Sequence, residues 1–167
     1  MSTSKGFTLL ELLIVMLMIG IIISFATLAI GDNKQQILRQ ETQRLAALIQ
    51  TSQQQAIFKN QEYAIHFTEH NYTFYILTEQ GTWQRLKQPP LRQRQLTAGL
   101  ALDIEIEGEE IRLGVADTET MPQLLLLSSG EITPFRIALW HQSNEYQRLL
   151  LTGNLLGELE ITTEDKF

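Results

Sequence analysis

The hydrophobic pattern of this chain changes twice along its length. From Phe7 to Ile30 nearly every residue is large and aliphatic, with interruptions only at Thr8, Glu11, Gly20, Ser24 and Thr27. As a helix this run spans about 36 Å at 1.5 Å per residue, more than the roughly 30 Å of a bilayer's hydrocarbon core. After Gly31-Asp32-Asn33, which weakens or bends the helix, the pattern becomes amphipathic. Ile37, Leu38, Leu45, Leu48, Ile49, Ser52, Ala56 and Ile57 recur at spacings of three, four and seven. Lys34, Arg39, Gln40, Gln43 and Gln50 fall mostly on the other side. This is one apolar stripe on a helix that ends near Lys59-Asn60, and it predicts a seam packed on a sheet.

Beyond Asn60 the period becomes two. Tyr63, Ile65 and Phe67 alternate with Ala64, His66 and Thr68. After Glu69-His70-Asn71, Tyr72, Phe74 and Ile76 alternate with Thr73, Tyr75 and Leu77. The pair predicts a β-hairpin. Gln80-Gly81 turns into a strand at Thr82 to Lys87, and Gln88-Pro89-Pro90 breaks it. Further strands are expected at Leu100 to Glu107, Ile111 to Val115, Leu124 to Leu127, Ile132 to Trp140, Tyr146 to Thr152 and Leu155 to Thr162. Turns are expected at Ser129-Gly130 and Gly153-Asn154. The predicted class is α+β: a long N-terminal helix, half transmembrane and half amphipathic, packed on a head of antiparallel β-sheets.

Charge refines the first segment. Glu11 is the one carboxylate in the apolar run, and burying it in hydrocarbon costs about 2.5–3.5 kcal/mol, so it is expected to have a function. Lys5 and the initiator amine precede the run, which orients the remainder of the chain away from the cytoplasm. Two plainer readings stand beside this one. Ala26-Thr27-Leu28-Ala29 and Gly31 imitate a late signal-peptide cleavage site, and a simple uncleaved anchor leaves Glu11 at the interface.

Gly6-Phe7-Thr8-Leu9-Leu10-Glu11-Leu12-Leu13-Ile14-Val15 resembles the class III signal of type IV pilins and pseudopilins. The resemblance implies residues 1–6 as a leader, 7–30 as a transmembrane helix, 31–60 as an amphipathic helix entering the head, and 61–167 as a periplasmic head. It implies cleavage between Gly6 and Phe7 by a membrane aspartyl prepilin peptidase, which then methylates the Phe7 nitrogen. The new Phe7 ammonium and the Glu11 carboxylate each need a partner in the membrane. They are i and i+4 within one helix, or Glu11 meets the Phe7 amine of a neighbouring subunit and fixes the axial register of assembly.

In the head, Leu127-Ser128-Ser129-Gly130-Glu131-Ile132-Thr133-Pro134-Phe135 is similar to the turn-and-strand signature of the minor pseudopilin H family of type II secretion systems. Minor pilins of the FimT/FimU kind share it in looser form. Ser-Gly suits a tight turn, and Pro134 belongs at a strand edge or bulge. Phe135, Ile137 and Leu139 point one face into a core. Leu155-Leu156-Gly157-Glu158-Leu159-Glu160-Ile161 resembles the family's last strand. Pilin heads often carry a cysteine pair near the C-terminus; this chain has no cysteine, which favours the secretion reading.

The net charge is −6, so nucleic acid is not an expected partner. Arg85, Lys87, Arg92 and Arg94 cluster around Pro89-Pro90 and read as a solvated loop. His66, His70 and His141 are isolated and outside any metal-ligand spacing, and His66 reads as a surface residue. Glu105, Glu107, Glu109 and Glu110 offer oxygen ligands for Ca²⁺, but read first as charges that discourage pairing at a strand edge. No G-x-S-x-G elbow or phosphate-cradling loop is present. The expectation is a structural subunit, with no catalytic residues, metal or cofactor. The resemblance implies a place near the tip of a periplasmic pseudopilus that exports folded proteins across the outer membrane. Its implied partners are the prepilin peptidase and methyltransferase, the major pseudopilin, other minor pseudopilins and the inner-membrane assembly platform. Its implied location is the bacterial inner membrane, single-pass, with the head in the periplasm. A minor type IV pilin acting in pilus assembly, adhesion or DNA uptake is the alternative.

Overall fold

The computed structural model describes residues 9–30, 33–114 and 121–165, with side chains described over 9–22 of the first segment and to residue 164 at the end. The chain divides into two compact units, Met1–Lys34 and Gln35–Phe167. Two helices come first, α1 (Leu9–Ile30) and α2 (Asn33–Lys59). On α1 the described side chains are apolar around the whole circumference apart from Glu11, and they are exposed, Leu9 by 84%. Such a helix has no single face to bury. Among the described residues no helix is long and apolar enough to cross a membrane. The described side chains from Leu9 to Ile22 cover roughly 20 Å of helix, and in the sequence the apolar run continues to Ile30.

Helix α2 does have a buried face: Leu38, Glu41, Thr42, Leu45, Leu48, Ile49, Ser52 and Ala56. The expected stripe is there, except that Ile57 is half exposed. The helix stops because Asn60 adopts a left-handed φ of 51°. The Gln61 N–H then donates to the Ala56 carbonyl at 3.1 Å, and the Asn60 N–H to that of Ile57 at 3.3 Å. This paired pattern satisfies carbonyls that the last turn leaves without helical partners.

Ten strands follow among the described residues: β1 (Tyr63–Phe67), β2 (Asn71–Leu77), β3 (Trp83–Arg85), β4 (Arg94–Gln95), β5 (Leu100–Ile106), β6 (Glu109–Ile111), β7 (Leu124–Leu126), β8 (Phe135–His141), β9 (Asn144–Gly153) and β10 (Leu159–Asp165). They form two antiparallel sheets. The first runs β3-β2-β1-β7, with β4 also on β2; the second runs β10-β9-β8-β5-β6. The expected hairpin is β1–β2, with Tyr63, Ile65 and Phe67 opposite Ile76, Phe74 and Tyr72. In the second sheet Leu102 faces Leu139, and Ile104 faces Ile137. These rows and the stripe of α2 meet in one continuous core.

Three strand expectations are corrected. The strand expected from Ile132 begins at Phe135, because Ile132 and Thr133 pair with the other sheet. The strand expected from Leu155 begins at Leu159. Asn154 closes a turn first, its side-chain carbonyl accepting from the Glu158 N–H at 3.0 Å. The strand expected over Ile111 to Val115 is Glu109–Ile111 instead, and Val115 lies outside the described residues. Glu107 and Gly108, at φ 52° and 88°, supply the two positive-φ positions of the tight hairpin that sets its register.

Candidate functional site

Gly6 and Phe7 lie outside the described residues, as do Gly31 and Asp32 of the expected bend. Glu11 sits in the first turn of α1, where the positive end of the helix dipole favours a carboxylate. Leu9, Leu10, Leu12 and Leu13 around it are all more than half exposed.

The head signature is a strand crossover. Leu126 bridges to Ile132, and the Thr133 N–H donates to the Leu125 carbonyl at 3.0 Å. Both therefore extend the first sheet. Pro134 follows, having no N–H to offer a ladder, and Phe135 opens β8 of the second sheet. Gly130, at φ 94°, makes the preceding turn. Its N–H donates to the Leu127 carbonyl at 3.0 Å. Two polar side chains pin this turn. The Glu62 carboxylate accepts from the Ser128 N–H at 2.9 Å and its hydroxyl at 2.8 Å. The Gln53 amide of α2 donates to the Gly130 carbonyl at 2.7 Å. Gln53 also fills the space over Gly157, at φ 80°, where an added Cβ would lie 1.7 Å from its Nε2. The second family-like segment joins the same cluster, because the Ile132 N–H donates to the Leu155 carbonyl at 3.2 Å. The structure thus brings together the two head segments singled out in the sequence.

A second polar node has no counterpart in the expected stripe. Glu41 is 2% exposed. It accepts from Arg44 at 2.6 Å, from the Tyr72 hydroxyl at 3.2 Å and from the Thr97 hydroxyl at 2.5 Å. It ties α2 to β2 and to the loop before β5. Burial and the neighbouring Glu41 charge push the Tyr72 hydroxyl up to about 12. Burial alone would lower the Arg44 pKa, but the hydrogen bonds and charges of Glu41 and Tyr72 together outweigh it and raise the pKa. The sequence held a signal for this node. The apolar stripe jumps seven residues from Leu38 to Leu45, and Glu41 occupies the gap.

Other singled-out residues fall as follows. His66 is buried, not on the surface: it is 5% exposed, because β1 lies inside its sheet between β2 and β7. Its ring meets that of Tyr75 edge-on at 6.5 Å. His70 stays exposed beside Glu69, and His141 Nδ1 is hydrogen-bonded to the Ser143 hydroxyl at 2.8 Å and accepts from the Ser143 N–H at 3.2 Å. Arg94 belongs to β4 rather than to a solvated loop, and donates to the Pro90 carbonyl at 3.3 Å. Glu109 and Glu110 lie on β6, an edge of the second sheet, and Glu105 pairs with Arg136 at 3.6 Å.

Residues 41–157 match the model of the type II transport protein GspH family. The chain belongs to the GspH family. Residues 1–27 match the prokaryotic N-terminal methylation motif. The chain is 32% identical to type II secretion system protein H of Pseudomonas aeruginosa, covering 92% of this chain and 93% of the relative. It is 28% identical to protein H of Aeromonas hydrophila, over 97% and 95%. Its structure is similar to that of EpsH, a minor pseudopilin of the Vibrio cholerae type II secretion system, with a TM-score of 0.65 at 26% identity over 79% of this chain and 96% of that one. The minor pilin FimU of P. aeruginosa shares the fold alone, with a TM-score of 0.54 at 14% identity over 77% of this chain and 90% of that one. As a GspH family member, the chain is a minor pseudopilin of type II secretion, a structural subunit rather than an enzyme. Its methylation motif implies a membrane anchor and processing by a prepilin peptidase.

Proposed function

We propose that the chain is cut between Gly6 and Phe7, methylated on the Phe7 nitrogen, and assembled near the tip of a pseudopilus through α1, with its head in the periplasm. The carrying observation is α1 itself. It is apolar on every side over its described side chains and carries a single carboxylate in its first turn. An all-round apolar helix is suited first to lipid and then to a bundle of like helices. Within that bundle Glu11 neutralises the Phe7 amine of a neighbouring subunit, which gives a directional contact to a seam of otherwise non-directional aliphatic ones. Residues 1–6 serve as leader, 7–30 as the membrane helix, 31–60 as the arm into the head and 61–167 as the head. The partners in this reading are the major pseudopilin, the other minor pseudopilins and the inner-membrane assembly platform. The test is crosslinking of a Glu11→Leu variant to its filament neighbours in secreting cells, alongside secretion of a reporter exoprotein. Wild-type values for both would overturn the role of Glu11.

A further inference from the structure

On the acidic head, Arg136 and Arg148 are paired with carboxylates, but one stretch is basic without any acidic residue. Between Gly81 and Leu102 there is no Asp or Glu, but there are Arg85, Lys87, Arg92 and Arg94. This stretch and the last turns of α2 enclose a cleft of about 450 Å³. Lys59, Arg85 and Lys87 line it, and no carboxylate does. Tyr63 and Leu91 form a buried apolar floor, and Pro89 and Pro90 stand along one wall. Among the described residues the Lys59 ammonium donates to two uncharged groups, the Tyr63 hydroxyl at 3.3 Å and Gln55 Oε1 at 3.4 Å. Arg85 and Lys87 make no ion pair among the described residues.

Three cations around one concave surface repel one another, and an anionic group seated among them relieves that repulsion. We propose that this cleft is the docking site for a carboxylate-bearing turn on the head of a different, neighbouring pseudopilin. The proposal rests on the filament reading above and names the chemistry of one partner contact. Charge complementarity selects an acidic occupant. The apolar floor and proline wall suit a peptide, whose backbone and aliphatic stems lie on them while its carboxylates meet the rim. A phosphodiester chain fits less well, because the cations occupy one cleft rather than a stripe, on a head whose remaining charge is negative. A different subunit is specified because a minor component of a filament has mostly other chains as neighbours.

The test is a photoreactive benzophenone residue at Gln88 in the full chain, in secreting cells, with adducts identified by mass spectrometry. The expected adduct is another pseudopilin, joined in a turn rich in Asp or Glu. The R85E/K87E variant should lower adduct yield about fivefold or more, and R85Q/K87Q should lower it less. R92E, outside the cleft, should leave it within about twofold. Replacing the partner's carboxylates with Lys should restore the adduct of R85E/K87E. A yield indifferent to R85E/K87E, adducts only with a second copy, or no adduct at all would overturn the docking site. So would tight binding of the purified full chain in detergent to an oligothymidylate at physiological salt, abolished by R85E/K87E. A second photoprobe, at Val15 of α1, separates this from the filament reading. Its adducts should persist in every cleft variant, and their absence from the wild type would refute the filament reading instead.

Discussion

Helices α1 and α2 follow one another in the chain and obey opposite rules. Along α2, Leu38, Leu45, Ile49 and Ala56 are buried against the head, and the polar Glu41 among them has three partners. Along α1, the described aliphatic side chains are exposed. One helix satisfies its pattern inside the chain, and the other leaves its described side chains exposed. In the function proposed above, information about folding resides in α2 and the sheets, and information about assembly in α1.

The comparison breaks most completely at the processing junction. Gly6→Val should abolish cleavage and leave an intact leader, and the wild type should start at methylated Phe7, as read by mass spectrometry of the membrane-purified protein. Glu11→Leu and Glu11→Gln come next. Both should leave cleavage and head folding unchanged, yet strongly reduce crosslinking to filament neighbours and secretion of a reporter. On the other side of the comparison, a fragment from Lys34 onward should be folded by circular dichroism and unfold cooperatively without α1. In that fragment Leu45→Ala should cost about 2–5 kcal/mol in denaturant unfolding, because Leu45 is fully buried and its loss leaves a cavity.

Smaller effects sharpen the picture of the head. Gly153 lies opposite Phe135, and an added Cβ would sit 2.2 Å from that ring. Gly153→Ala should destabilise the fragment by about 1–3 kcal/mol through overpacking. Tyr72→Phe should have the least effect at neutral pH, about 1 kcal/mol from one lost hydrogen bond. Its signature is alkaline. The folded state holds the Tyr72 hydroxyl at about 12 against 10.0 for an ordinary tyrosine. This contribution is present below pH 10 and lost as the pH rises toward 12, because only the unfolded chain ionises freely in that window. The variant should lose less stability than the wild type over that range in a pH series of unfolding curves.

Both helices, the β1–β2 hairpin and the positions of most turns were legible because their periods and punctuation are local. The first segment was legible for a further reason: a carboxylate in an aliphatic run has few ordinary explanations. What escaped was non-local. Alternation in β1 identifies two faces but does not reveal that β2 and β7 flank the strand, so buried His66 read as exposed. The run from Ile132 to Trp140 is continuously strand-like, and only pairing shows that it leaves one sheet at Pro134 and joins the other. Gln53 looked like one of several glutamines until two glycines, Gly130 and Gly157, were seen to approach it.

The long buried stripe of α2 has a mechanical consequence. Pull or push entering at the N-terminal end of this helix runs along its axis, while its anchors, from Leu38 to Ala56, are distributed along its length. The load then acts in shear on all these anchors at once, rather than peeling them away one by one. The Schellman-type stop at Asn60 hands the strain to β1, the inner strand of its sheet. A head anchored along the buried face of α2 in this way resists an axial load as one piece.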